Sequence, residues 1–158
     1  MLNSTLCYIE KDGKYLMLHR VKKENDLNRD KWIGVGGKME EGESPLDCVI
    51  REAFEETGLA LDEPKYRGLV TFCFSDGEKA LTEQMHLFTC EKFSGSLSGD
   101  CSEGELEWVP KDRVFSLPIW EGDKIFLELL NKEKRFFLLK LEYDGDRLAR
   151  HRLDFAGG

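Results

Sequence analysis

The sequence predicts an α+β domain in which a mixed sheet is sandwiched by two helices. Short β-prone runs bounded by Gly, Asp and Asn turns recur along most of the chain. Two segments, 45–57 and 123–132, carry the spacing of an amphipathic helix. The strand-like runs follow one another as hairpins rather than alternating regularly with helices.

In chain order, Thr5–Glu10 and Lys14–Arg20 read as two strands around a turn at Lys11-Asp12-Gly13. Residues 21–31 form a charged loop. Trp32–Gly37 reads as a short strand broken by glycines, where backbones approach closely. Ser44 is an N-cap, Pro45 suits the first helical position, Asp47 places an acid in the first turn and Gly58 supplies a left-handed stop. A helix over Pro45–Thr57 follows. Its Leu46, Val49, Ile50, Ala53 and Phe54 form one stripe expected to pack, and Glu52, Glu55 and Glu56 fall on another expected to carry charge.

Downstream, Tyr66–Phe74 and Glu83–Phe93 read as a hairpin around Ser75-Asp76-Gly77, and Leu106–Val109 as a further strand. Asp123–Lys132 has helical spacing through Ile125, Phe126, Leu129 and Leu130. Arg135–Tyr143 and Arg147–Phe155 close the chain as a hairpin about Asp144-Gly145. A single domain over 1–155 is expected, with 156–158 as a flexible tail.

The net charge of −8 argues against a nucleic-acid polymer, because polyphosphate chains demand a basic surface. A small nucleotide stays open, since divalent cations can bridge its phosphates to carboxylates. No apolar run is long enough to span a bilayer, and residues 1–9 lack the basic flank and cleavage site of a secretion signal, so a cytoplasmic setting is expected. Five cysteines, without a C-x-x-C pair, read as reduced thiols, and three histidines without ligand spacing to them argue against structural zinc.

Glu52, Glu55 and Glu56 lie at i, i+3 and i+4, a spacing of like charges that costs helix stability. Three acids placed so invite raised pKa values or bound cations, and hard oxygen ligands select Mg²⁺ or Mn²⁺. Arg51 is placed to pair with a neighbouring carboxylate and fix its orientation, and Gly36-Gly37 can bring a backbone oxygen to the same cation. An isolated E-x-x-E-E is ordinarily a solvated helix face. Its company here, a glycine entry loop, Glu43, Arg51 and the Gly58 stop, makes a metal site the better reading.

Residues 37–59 follow the pattern G-x5-E-x7-R-E-A-x-E-E-x-G-L. This segment resembles the Nudix box of the Nudix hydrolase superfamily at every defining position. The resemblance implies an α/β/α sandwich with a mixed β-sheet, and Mg²⁺-dependent hydrolysis of a nucleoside diphosphate linked to another moiety. By that likeness Glu52, Glu55 and Glu56 bind cations and Gly37 contributes its carbonyl oxygen. One of those glutamates, or another from a distal loop, activates the attacking water. Arg51 holds a glutamate in place, and Glu43 secures the loop-to-helix geometry.

The likeness extends to the MutT group of 8-oxo-dGTP diphosphatases, and within it to bacterial MutX-type members. It is carried by Lys31–Lys38, by Glu103 with Leu106-Glu107-Trp108-Val109-Pro110, and by Pro118-x-Trp120-Glu121-Gly122-Asp123. It implies that Trp120 stacks on a purine, Asp123 hydrogen-bonds its edge and Phe72 lines the pocket. Lys23 and Lys38 reach phosphates, and Glu103 is the distal carboxylate that joins the metal cluster. Trp120 and Phe72 also suit a core, and Lys23 a solvated surface.

One departure bears on the base. Where the animal enzyme of this group has an Asn that reads the oxidised purine, this chain has Ile33, which donates nothing. The expected activity is cleavage of an oxidised purine triphosphate, such as 8-oxo-dGTP, to monophosphate and pyrophosphate, in nucleotide-pool sanitisation and DNA repair. The alternatives are a Nudix hydrolase for an ADP-ribose, a dinucleoside polyphosphate or an ordinary NTP, and a nucleotide-sensing module without turnover. A monomer or small homo-oligomer is expected.

Overall fold

A computed structural model describes residues 1–98, 101 and 103–156. Alternation along its first strand sets up two cores. In β1 (Leu2–Lys11) Leu6 and Tyr8 point into one apolar cluster, while Cys7 and Ile9 point into another across the sheet. The chain turns back through Asp12 and Gly13, both at positive φ (52° and 75°), into β2 (Lys14–His19). Next come β3 (Trp32–Ile33), β4 (Val35–Lys38) and helix α1 (Pro45–Thr57). Strands β5 (Ala60–Asp62), β6 (Lys65–Ser75), β7 (Ala80–Cys90), β8 (Lys92–Ser94) and β9 (Glu105–Pro110) follow. A one-turn helix α2 (Lys111–Val114), helix α3 (Glu121–Lys132) and the hairpin β10 (Phe137–Asp144) and β11 (Arg147–Phe155) complete the order.

The main sheet runs β11-β10-β6-β7-β1-β2-β3, with β4 also pairing β1 and β9 pairing β2. It is mixed: β1 pairs β7 in parallel and β6 pairs β10 in parallel, while its other pairs are antiparallel. Val49 and Ala53 of α1 close the cluster containing Cys7, Ile9 and Val35. Phe126, Leu127 and Leu130 of α3 close the other, with Tyr8, Phe72, Trp120 and Leu141. Full burial of a side chain such as Val49 or Phe126 contributes about 1.5–3 kcal/mol. The two helices thus flank the sheet, as expected.

Helix α1 has the predicted bounds for the predicted reasons. Ser44 Oγ accepts from Asp47 N at 3.1 Å, Asp47 Oδ2 accepts from Ser44 N at 3.0 Å, and Gly58 stops the helix at φ 81°. Its orientation differs from the apolar-stripe reading. Leu46, Ile50 and Phe54 are exposed (47%, 38% and 59%), whereas Cys48, Val49, Ala53, Glu56 and Thr57 are buried. The packed face is therefore the one that carries Glu52 and Glu56. It packs because β4 beneath it is nearly free of side chains at Gly36 and Gly37, leaving room for carboxylates.

Strand β5 and helix α2 were not foreseen, and the run 83–93 divides at Glu91 into β7 and β8. All five cysteines are free thiols. Of the expected tail, Ala156 donates from its backbone N to Phe136 O at 3.2 Å, and residues 157–158 lie outside the described residues. Among the described residues no helix is long and apolar enough to cross a membrane.

Candidate active site

Because β4 lies against β1 with Thr5 opposite Gly37, the inward face of α1 meets backbone instead of side chains. Glu56 uses this: its Oε1 accepts from Gly36 N at 2.8 Å, and the residue is 8% exposed. Burial, with the negative charges of Glu103 and Glu52 beside it, pushes its carboxyl up to about 8. The Glu52 carboxyl fills the space a side chain at Gly37 would take, and burial raises its pKa too, against the pull of Arg51. Glu55 stands on the exposed rim of the same face.

Arg51 organises these acids. Its Nε and Nη2 reach the two oxygens of Glu43 at 2.7 and 2.9 Å. Nη1 reaches Glu52 at 2.8 Å and Glu55 at 3.2 Å, and Nη2 reaches Lys38 O at 3.1 Å. Hydrogen bonds from Arg51 and from Glu40 N hold the Glu43 carboxyl down at about 2. The Gly37 carbonyl is contacted by the Cys48 thiol, which donates at 3.6 Å, and Cys48 also bonds Thr5 Oγ1 at 3.3 Å.

Glu103 arrives from the segment before β9. Arg20 Nη1 donates to it at 2.9 Å and Lys23 Nζ at 3.2 Å. It lines one cleft of about 540 Å³ together with Glu52, Gly37, Lys23 and Lys38. The same cleft is also lined by Ile33, Phe72, Trp120 and Asp123. Of the eleven sequence-predicted residues, Lys23, Gly37, Lys38, Glu52, Phe72, Glu103, Trp120 and Asp123 border the cleft, Arg51 and Glu55 lie on α1 outside its lining, and Glu56 is buried between α1 and β4.

The aromatic end of the cleft belongs equally to the core. Trp120 is 4% exposed, with Phe72 and Tyr143 edge-on at 5.2 and 4.9 Å between ring centroids, and Lys31 Nζ lies 4.3 Å from its ring. Asp123 is buried, and among the described residues its carboxyl has no hydrogen-bond partner. Burial pushes its pKa up to about 8, with Lys31 pulling the other way.

Three polar residues of this site went unread in the sequence. Arg20 links Glu103 to Asp26, which accepts from its Nε at 2.7 Å. Asn28 Oδ1 accepts from Trp120 Nε1 at 2.7 Å. All three belong to or adjoin the charged loop 21–31, where no periodicity marks which side chains turn inward. The signal available was local: an Asp two residues before an Asn favours an Asx turn, and Asn28 N donates to Asp26 Oδ1 at 3.0 Å.

Hard carboxylate and carbonyl oxygens, with two carboxyls whose ionised form burial disfavours until a cation compensates it, fit a divalent cation such as Mg²⁺. With the side chains as they stand, no three acidic, His or Cys groups among the described residues converge on one point. Arg51 draws Glu52 and Glu55 to one side, and Gly36 N holds Glu56.

A family model described as NUDIX domain matches residues 3–130. The chain is 35% identical over 129 residues to the Nudix hydrolase YvcI of Bacillus subtilis, itself uncharacterised, covering 81% of this chain and 78% of that protein. It is 29% identical over 151 residues to the oxidized purine nucleoside triphosphate hydrolase of Danio rerio, covering 95% and 92%. A crystal structure of a MutT protein from Bacillus halodurans superposes with a TM-score of 0.86 at 30% identity, covering 98% of both chains.

Proposed function

Because the chain belongs to the NUDIX domain family and is a Nudix hydrolase, we propose that it cleaves a purine nucleoside triphosphate to monophosphate and pyrophosphate. An oxidised purine such as that of 8-oxo-dGTP is the substrate we favour, in sanitising the nucleotide pool. The observation that carries this reading is one cleft lined both by carboxylates and lysines and by Asp123 with the contacting pair Phe72 and Trp120. A nucleotide combines partners for both. The named activity of the Danio rerio relative supports the choice of substrate class.

In this proposal Glu52, Glu55, Glu56, Glu103 and the Gly37 carbonyl hold Mg²⁺ or Mn²⁺, which neutralises phosphate charge and makes a water nucleophilic. The chain's own residues do the rest. Arg51, anchored on Glu43, orients Glu52 and Glu55. Lys23 and Lys38 take the outer phosphates. Water attacks a phosphorus, the bridging P–O bond breaks toward pyrophosphate, and one of the glutamates accepts the water's proton. Trp120 and Phe72 pack against the base, and Asp123 meets its edge.

Ile33 at the cleft wall favours a second reading within the same chemistry, in which unmodified purine triphosphates are also accepted. A nucleotide panel assayed with Mg²⁺ for pyrophosphate release tests both. The expected result is turnover of 8-oxo-dGTP, lost on chelation and in Glu56→Gln. Faster turnover of ADP-ribose than of any triphosphate would overturn the assignment.

A further inference from the structure

The base end of the cleft lacks an obvious reader: Ile33 has no polar side-chain atom, leaving Asp123 as the expected polar contact. Asn28 lines the same cleft, and its amide is already oriented. Indole Nε1–H can only donate, so the Asn28 atom 2.7 Å from it is Oδ1. The amide Nδ2 then faces away from Trp120 with two N–H groups, and no acceptor for them occurs among the described residues.

The loop holds Asn28 in this pose. Its backbone N donates to Asp26 Oδ1 at 3.0 Å, its carbonyl accepts from Lys31 N at 2.9 Å, and Arg20 fixes Asp26 at 2.7 Å. A rotation of the amide would set an NH₂ against the indole N–H and forfeit the bond. The group is therefore a preorganised donor rather than an adaptable one.

We propose that Asn28 is a specificity-determining residue, whose Nδ2 donates to a carbonyl on a purine edge and so selects guanine-type over adenine-type bases. This rests on the reading that the cleft takes a purine nucleotide. An adenine amino group brought to the same point would place donor against donor and leave both unpaired, which discriminates more strongly than a missing apolar contact.

The test is Asn28→Asp, which keeps an oxygen for Trp120 Nε1 and replaces the donor by an acceptor. Calorimetric binding of dGMP and dAMP should show a wild-type preference for dGMP. The ratio should fall by about tenfold to a hundredfold in the variant, with dGMP losing affinity and dAMP not. Asn28→Leu, which adds no charge near Asp26, should also erase the preference. The kcat/KM ratio of the two triphosphates should move in parallel. An unchanged ratio in both variants, or equal losses for both nucleotides, would reduce Asn28 to a strut for Trp120 and overturn the proposal. If the binding ratio shifts as expected while no purine triphosphate is hydrolysed, the reaction reading fails and this inference stands.

Discussion

Arg51 grips Glu43 at two points, Nε to Oε2 at 2.7 Å and Nη2 to Oε1 at 2.9 Å, and so ties the loop entering α1 to the middle of that helix. Only Nη1 is left for Glu52 and Glu55. The fork decides where the guanidinium sits, and through it where those two carboxylates point.

Glu43→Gln should therefore impair activity without unfolding the helix. A glutamine offers one acceptor oxygen, so Arg51 loses one arm of the fork and swings toward Glu52 and Glu55. Disturbing a residue that orients ligands costs about 10–100-fold in activity. The Ser44–Asp47 capping box and the Gly58 stop are separate, so circular dichroism should be unchanged. A wild-type kcat/KM in this variant would refute the orienting role.

Neighbouring glycines should respond oppositely to the same methyl group. A Cβ at Gly36 would land on the Thr5 carbonyl oxygen in the adjacent strand, backbone that cannot yield. Gly36→Ala should destabilise the fold by about 1–3 kcal/mol or more in urea denaturation. A Cβ at Gly37 meets the Glu52 carboxyl, with Oε2 at 2.5 Å, which is the end of a flexible side chain. Gly37→Ala should fold with near wild-type stability and lose most of its turnover.

Asp123 predicts a pH dependence of stability. Its carboxyl rises from an ordinary 3.8 to about 8 when buried, so the unfolded chain ionises first as pH increases. The contribution of Asp123 to stability is fully present below 3.8, falls across the window to about 8 and is level above it, with a limiting slope of about 1.4 kcal/mol per pH unit. Asp123→Asn should flatten this decline, so its advantage over wild type grows from pH 4 to pH 8. Parallel urea curves at all pH values would show that the group ionises freely in the folded protein.

Ile33→Asn should sharpen base selection. Ile33 borders the cleft and offers no donor. A polar side chain there should raise the kcat/KM preference for oxidised over unmodified dGTP by about tenfold, the scale of one added hydrogen bond. An unchanged preference would mean that position 33 does not meet the base.

Helix α1 was legible in its ends and misread in its rotation. Ser44, Pro45, Asp47 and Gly58 act through local backbone geometry, which sequence encodes directly. Which face packs depends on what lies opposite, and the side-chain-free surface of β4 reverses the usual preference: Glu56 goes in and Phe54 stays out. The acidic face of α1 was readable from the glutamate spacing together with Glu43, Arg51 and the flanking glycines, and Trp120 and Asp123, singled out by family resemblance, do line the cleft. Asn28 and Arg20 could not be found in the same way. Their roles come from one loop folding over a distant tryptophan and a distant glutamate, contacts separated by about ninety and eighty residues.

The parallel pairings have a consequence for the order in which a ribosome delivers this protein. β1 meets β7 with Leu2 opposite Glu83, and β6 meets β10 with Gly68 opposite Phe137. The whole of α1 emerges before either partner strand exists. Distant pairings pay their loop-closure entropy before they return any stability, so they form late. A nascent chain that ends before β7 carries every glutamate of α1 but lacks Glu103, Trp120 and Asp123, which the finished cleft needs for its walls.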